Sequence, residues 1–163
     1  MTVSKALASL TNFSAVRSKD GSKVELWLTR PEAKLMETLA LRPAAAEHRS
    51  FILATWVQSY KALARKQFSS KVYEQEEPRL AEKYWQNCIV LTPEDDSFTI
   101  HGWVCGVGTT LLQCYVPPEL RRIGIASCLI DTACGKKVVI PRAWPFQNPP
   151  RGFEFTYNPY KLG

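Results

Sequence analysis

Apolar and polar positions change period several times along this chain, and each change predicts an element. Ala15-Val16-Arg17 and Lys23-Val24-Glu25-Leu26-Trp27-Leu28 flank the polar run Ser18-Lys19-Asp20-Gly21-Ser22. An Asp-Gly turn between two such segments predicts a β-hairpin. Pro31 suits the first position of a helix, so a short helical run through Glu37 is expected, followed by a short strand at Thr38–Arg42. Beyond Pro43, Ile52, Trp56, Ser59, Tyr60 and Leu63 recur at helical steps and predict a helix over 44–64 with an aromatic stripe toward the core. Leu80 and Tyr84, one turn apart among charges, predict a second helix over 75–85.

From Asn87 the period shortens. Cys88–Leu91 and Phe98–Cys105 are expected strands joined by the turn cluster Pro93-Glu94-Asp95-Asp96-Ser97, and Leu111–Val116 is a third, giving an antiparallel meander. Pro117-Pro118 ends it. Residues 123–134 are helical in pattern, with Ile125, Leu129 and Thr132 on one side and Gly135 as the stop, and Lys137–Ile140 is the next strand. Strand, turn, helix, strand is a crossover unit joining parallel strands. Four prolines within residues 141–152 make that stretch a loop, and Phe153–Tyr157 alternates as a last strand. The expected class is α/β of the α+β kind: residues 1–37 form an N-terminal extension, and residues 38–163 a mixed-sheet domain.

Composition narrows the chemistry. A chain of 163 residues that is 45% apolar can build one core and cannot hold two catalytic domains. The charge of +6 fits an anionic partner such as nucleic acid, an acidic protein or the phosphates of a nucleotide cofactor, and is also ordinary for solubility. The five cysteines, Cys88, Cys105, Cys114, Cys128 and Cys134, form no C-x-x-C pair and sit in apolar stretches. They read as reduced, buried thiols, and with His48 and His101 the only histidines, no metal site is expected. The N-terminal run lacks a secretory signal and no segment reads as a membrane span, so the expected location is cytoplasmic.

The segment Tyr115-Val116-Pro117-Pro118-Glu119-Leu120-Arg121-Arg122-Ile123-Gly124-Ile125-Ala126 carries the chemistry. A strand end, two arginines, a glycine and an immediate helix start form an arrangement that holds phosphates, because helix N-terminal amides point at the anion and the arginines supply charge. Gly124 and Ala126 leave the main chain open to close approach.

In this context the segment resembles the acyl-CoA pyrophosphate loop of the GNAT acetyltransferase superfamily, (Q/R)-x-x-G-x-(G/A), with Arg121, Gly124 and Ala126 at the defining positions. The order of elements from Leu39 to Ile140 is similar to that family's. The runs Arg42–Lys61 and Tyr157–Tyr160 also resemble small members encoded by bacteriophages. The resemblance implies a GNAT-like sheet whose third meander strand splays from the strand after the crossover helix. It implies acetyl-CoA as co-substrate, with main-chain groups near Cys114, Tyr115 and Val116 holding the pantetheine arm. The pyrophosphate would be held by Arg121, Arg122, Ile123, Gly124, Ile125, Ala126 and Ser127.

Catalysis in such enzymes places a neutral amine against the thioester, removes a proton through a base and returns one to the departing thiolate. Glu94, Asp95, Asp96, His101 and Glu119 are the titratable groups on offer as the base. His101 lies on a strand expected to border the acceptor cleft. Cys114 reads as a buried thiol in preference to an acyl-accepting nucleophile. Many members carry a further helix after the strand equivalent to Lys137–Ile140, with a tyrosine for the leaving thiolate. Here a proline-rich stretch replaces it, so the C-terminal half is reduced, and Tyr157 or Tyr160 is the alternative acid.

The leading expectation is an N-acetyltransferase acting on a primary amine. The alternative is a catalytically inactive GNAT-like protein that binds protein or nucleic acid through its basic surface. A third is a nucleic-acid module on the N-terminal segment, where Lys5, Arg17, Lys19, Lys23, Arg30 and Lys34 outnumber Asp20, Glu25 and Glu32. Preferred to that third reading is a hairpin packed on the domain or on a second subunit.

Overall fold

In the computed structural model the polar run at Ser18–Ser22 closes a hairpin between β1 (Phe13–Arg17) and β2 (Lys23–Leu28), as the sequence predicts. The structure describes residues 12–30, 32–67, 70–141 and 150–158, with side chains for all of these except 60–75. Asp20 organises the turn: its carboxylate accepts hydrogen bonds from the Ser18 hydroxyl at 2.7 Å, the Ser22 amide at 3.0 Å and the Ser22 hydroxyl at 2.8 Å. These donors, the Ser22 amide foremost, lower its pKa from 3.8 to about 2. The folded value lies below the ordinary one, so ionised Asp20 favours the turn above that ordinary value and the contribution disappears as pH falls through about 2. An NMR titration of the Asp20 carboxyl should give a midpoint near 2, whereas a midpoint near 3.8 would mean that the clamp does not form in solution.

The short helix expected through Glu37 is absent. Strand β3 (Lys34–Pro43) takes its place and runs across the position where the sequence separates an N-terminal extension from the rest. Its partner explains the difference: β2 pairs with β3 from Lys23↔Ala40 to Leu28↔Lys34, with an irregularity at Leu26/Trp27. Ladder hydrogen bonds and burial of Val24 and Leu39 outweigh a proline's local preference. Pro31 itself lies outside the described residues.

The meander follows as β4 (Cys88–Pro93), β5 (Gly102–Val107) and β6 (Thr110–Tyr115), and after a helix come β7 (Lys137–Ile140) and β8 (Glu154–Tyr157). The eight strands form one sheet in sequence order, antiparallel from β1 to β6 and parallel from β6 to β8. Strand β5 begins four residues later than expected. The Asp96 carboxylate accepts from the Phe98 and Thr99 amides and from the Thr99 hydroxyl, which folds 96–99 into a turn and leaves Phe98 73% exposed.

Helices α1 (Arg49–Gln67) and α2 (Ser70–Tyr84) cover one face of the sheet, where Ile52, Trp56 and Ala81 pack with Cys88, Val90, Trp103, Cys105 and Leu112. Helix α3 (Ile125–Cys134) lies on the other face, where Ile125, Leu129 and Ile130 meet Val24, Leu39, Leu91, Val104, Leu111 and Val138. The sheet curls far enough around α3 that edge strand β1 also touches it. The architecture is α+β, with two layers of helix around a curled, mostly antiparallel sheet. Gly135 ends α3 at φ 81°, and its amide donates to Asp131 O at 3.1 Å, as a helix-stopping glycine should. No helix among the described residues is long and apolar enough to cross a membrane. Residues 1–11, the proline-rich stretch 142–149 and the tail 159–163, which include Lys5 and Tyr160, lie outside the described residues.

Candidate functional site

Strands β6, β7 and β8 are parallel, so their C-terminal ends share one end of the sheet with the N-terminus of α3. Such ends are where open α/β sheets receive ligands. Strand β6 pairs with β7 at a single position, Thr110↔Val139, with the Val139 amide donating to Thr109 O at 2.9 Å. Beyond it the two strands part. Past Thr110 no further pairing of β6 with β7 is found among the described residues.

Pro117, at φ −54°, directs the chain into a short 3-10 turn at Pro118–Leu120. The Arg121 Nε then donates to Val116 O at 2.8 Å, tying the loop back to the end of β6. Two left-handed residues follow, Arg122 at φ 71° and Gly124 at φ 100°. For arginine that conformation is unfavourable, and an exposed arginine held so is a mark of a constrained loop. Gly124 caps α3 without a side-chain bond, and its carbonyl accepts the Cys128 amide at 3.2 Å. The amides of Ile125, Ala126 and Ser127 thus precede the first intrahelical bond and remain as donors at the positive end of the helix dipole.

The sequence reads Gly124 as room for a phosphate oxygen, and in the structure the neighbour that comes close is protein. A Cβ at Gly124 would lie 3.2 Å from Ala15 O, and the Ala15 amide donates to Ile123 O at 2.6 Å. The hairpin therefore leans on one flank of the loop, anchored further by an Arg17–Asp131 ion pair at 3.5 Å. Arg121 and Arg122 remain exposed, Ala126 and Ser127 are half-buried, and Ile123 and Ile125 turn their side chains into the core.

The other candidates divide between buried and exposed. His101 is 1% exposed and precedes β5 instead of lying on it, with its amide donating to Leu91 O at 2.7 Å. The pairing Trp103↔Tyr115, and Gly102 against Tyr115 O, set His101 beside the end of β6. Tyr157 pairs with Ile140 at the last position of β8, on the same end of the sheet, and is 60% exposed. Glu94 is paired with Lys23 at 3.3 Å. The Thr99 hydroxyl, then the Phe98 amide, lower the pKa of Asp96, which makes it a weak proton acceptor. Asp95 and Glu119 are exposed.

All five cysteines are buried and unpaired. Burial pushes the Cys114 thiol well up, Cys128 up to about 11 and Cys134 up to about 12. The thiolate is the reacting form, so none of these three suits a nucleophile. Ellman's reagent at pH 8 should find no fast-reacting thiol in the native protein and five after unfolding in guanidinium. Rapid modification of a native thiol would contradict this burial.

Tyr115 stands at the end of an aromatic column: Trp56 and Trp103 stack at 5.4 Å, Trp103 and Tyr115 at 6.3 Å, and Phe51 meets Tyr115 edge-on at 6.0 Å. The column carries the buried α1 face to the mouth of the β6 edge. Two residues that sequence reasoning did not single out also belong here, Ala15 on β1 beside the loop and Gln113 on β6. Gln113 had one signal, a lone polar residue in an apolar strand.

No family model matches this sequence, and no curated protein matches it. Among solved structures it is similar to the apo-form of YjaB from Escherichia coli, in a solution structure. The identity is 20% and the TM-score 0.45, over 58% of this chain and 63% of YjaB, so the match spans less than two thirds of that protein.

Proposed function

We propose that this protein binds acetyl-CoA and transfers its acetyl group to a primary amine. The observation that carries this reading is the parting of β6 from β7 beneath the uncapped N-terminus of α3. The β6 edge around Tyr115 would receive an extended amide-bearing arm in the manner of an added strand, between the Cys114 amide, which Gln113 holds, and Val116 O, which Arg121 holds. At its end the amides of Ile125, Ala126 and Ser127, with Arg121 and Arg122, offer donors and charge to a diphosphate. His101 is the group placed to take the amine proton, and Tyr157 the hydroxyl at the same end of the sheet for the thiolate. Both are roles in positioning and proton transfer around a thioester that the coenzyme brings.

Calorimetric titration with acetyl-CoA tests this. The unmodified protein should bind, and Arg122→Glu, an exposed charge reversal beside the loop, should weaken binding by roughly tenfold or more without changing the melting temperature. Absence of binding by the unmodified protein would remove the transferase reading.

The hairpin against Ile123 and Gly124 favours a second reading, a binding protein that retains the scaffold and covers part of the loop with its own strand. In that case acetyl-CoA gives no heat. Nucleic acid would be a weaker partner than the sequence charge suggests, because Arg17 and Lys23 are engaged by Asp131 and Glu94.

A further inference from the structure

Strand β6 contains a bulge. Cys105 pairs with Gln113 while the next residue, Gly106, pairs with Leu111, so Leu112 is an extra residue opposite β5. The bulge changes which face each residue meets: Leu112 packs with the α1/α2 side, and Cys114 with the α3 side. Gln113 follows the bulge and is 1% exposed. Its Oε1 accepts the Cys114 amide at 3.0 Å, which a ladder partner would otherwise take. That amide is a donor, so it fixes which end of the carboxamide is oxygen and leaves Nε2 as the other. Nε2 is buried and has no hydrogen-bond partner among the described residues.

An unsatisfied buried donor is destabilising, and one held by its own carboxamide oxygen on the backbone is also fixed in direction. The Cys114 amide accounts for the oxygen end of the carboxamide, and nothing among the described residues accounts for the nitrogen end. An apolar residue at 113 would strand the Cys114 amide, so the carboxamide oxygen is structural and the nitrogen is the end left for a ligand. The donor's location is the part of β6 that β7 has left.

We propose that Gln113 is the specificity-determining residue for the acyl group: its Nε2 donates to the carbonyl oxygen of the thioester, so that the protein distinguishes the acylated coenzyme from the free thiol. The proposal rests on the coenzyme reading above, and deepens it by naming what part of the ligand is recognised and by which atom. Gln113 acts on binding and on the orientation of the carbonyl, and takes no proton.

The test compares acetyl-CoA with CoA, which differ by the acyl group alone, on the unmodified protein, Gln113→Leu and Gln113→Met. The unmodified protein should prefer acetyl-CoA by roughly tenfold, the worth of one well-made buried hydrogen bond. Both variants should bind the two ligands equally, with CoA affinity changed by less than about twofold. Both should melt close to the unmodified protein, because loss of the orphan Nε2 donor offsets the stranding of the Cys114 amide that Oε1 had accepted. Retention of the preference in the variants overturns the proposal, as does an equal loss of both ligands. If the unmodified protein binds neither, the coenzyme reading has failed. If it binds both and Gln113 does not matter, only the present proposal has.

Discussion

Trp103→Ala is expected to lower the stability of the fold by about 3–5 kcal/mol, the largest loss among the substitutions considered. Trp103 is fully buried between Trp56 and Tyr115, and its indole Nε1 donates to the Thr55 hydroxyl at 2.8 Å. Truncation leaves a cavity where the sheet meets α1, removes two ring contacts and strands part of that hydroxyl's bonding. Thr55 also donates to Phe51 O at 2.7 Å, so it keeps one partner. Trp103→Phe should therefore cost much less, about 1–2 kcal/mol, by preserving stacking and losing the indole bond. Urea unfolding of both variants measures the difference. A loss below about 1.5 kcal/mol for Trp103→Ala would show that the column does not hold α1 to the sheet.

The second large effect falls on the loop itself. Gly124→Ala should cost about 1–3 kcal/mol, because a Cβ is strained at φ 100° and would press on Ala15 O from 3.2 Å. The loss should be local. Hydrogen exchange at the Ala15 amide, which donates to Ile123 O, should accelerate before the amides of α1 do. Uniform acceleration across the chain would contradict the idea that β1 and the loop brace one another. A bulky acid at 124 would disturb the hairpin and an anion site together, so Arg122, which has room at the surface, is the better probe of ligand binding.

The parts of the fold that read clearly from sequence are those whose signals are local. Asp20 and Gly21 announce a turn, Gly135 a helix end, and Ile125 and Leu129 a helix face, and each does so within a few residues. The second half of β3 was legible as the strand Thr38–Arg42, but its first half was not, because Lys34-Leu35-Met36-Glu37 is compatible with either conformation and only pairing with β2 decides. The β6 bulge was hidden for another reason. Both faces of that strand are buried, so Leu111-Leu112 shows no alternation to interrupt. For the site, the loop and its glycine were visible, whereas the neighbour that demands the glycine was not. Ala15 and Gly124 meet only through the curl of the whole sheet.

That meeting sets an order of events during synthesis. Strand β1 leaves the ribosome long before Ile123, whose carbonyl its Ala15 amide will hold. The β1–β2 hairpin can close at once on its own turn, but its outer edge must wait for the meander and α3 to be assembled. Contacts so far apart in sequence form late and slowly. The brace on the loop is thus a final act of maturation, and a nascent chain stalled before residue 123 would display β1 as an unguarded edge, open to mispairing with a neighbour.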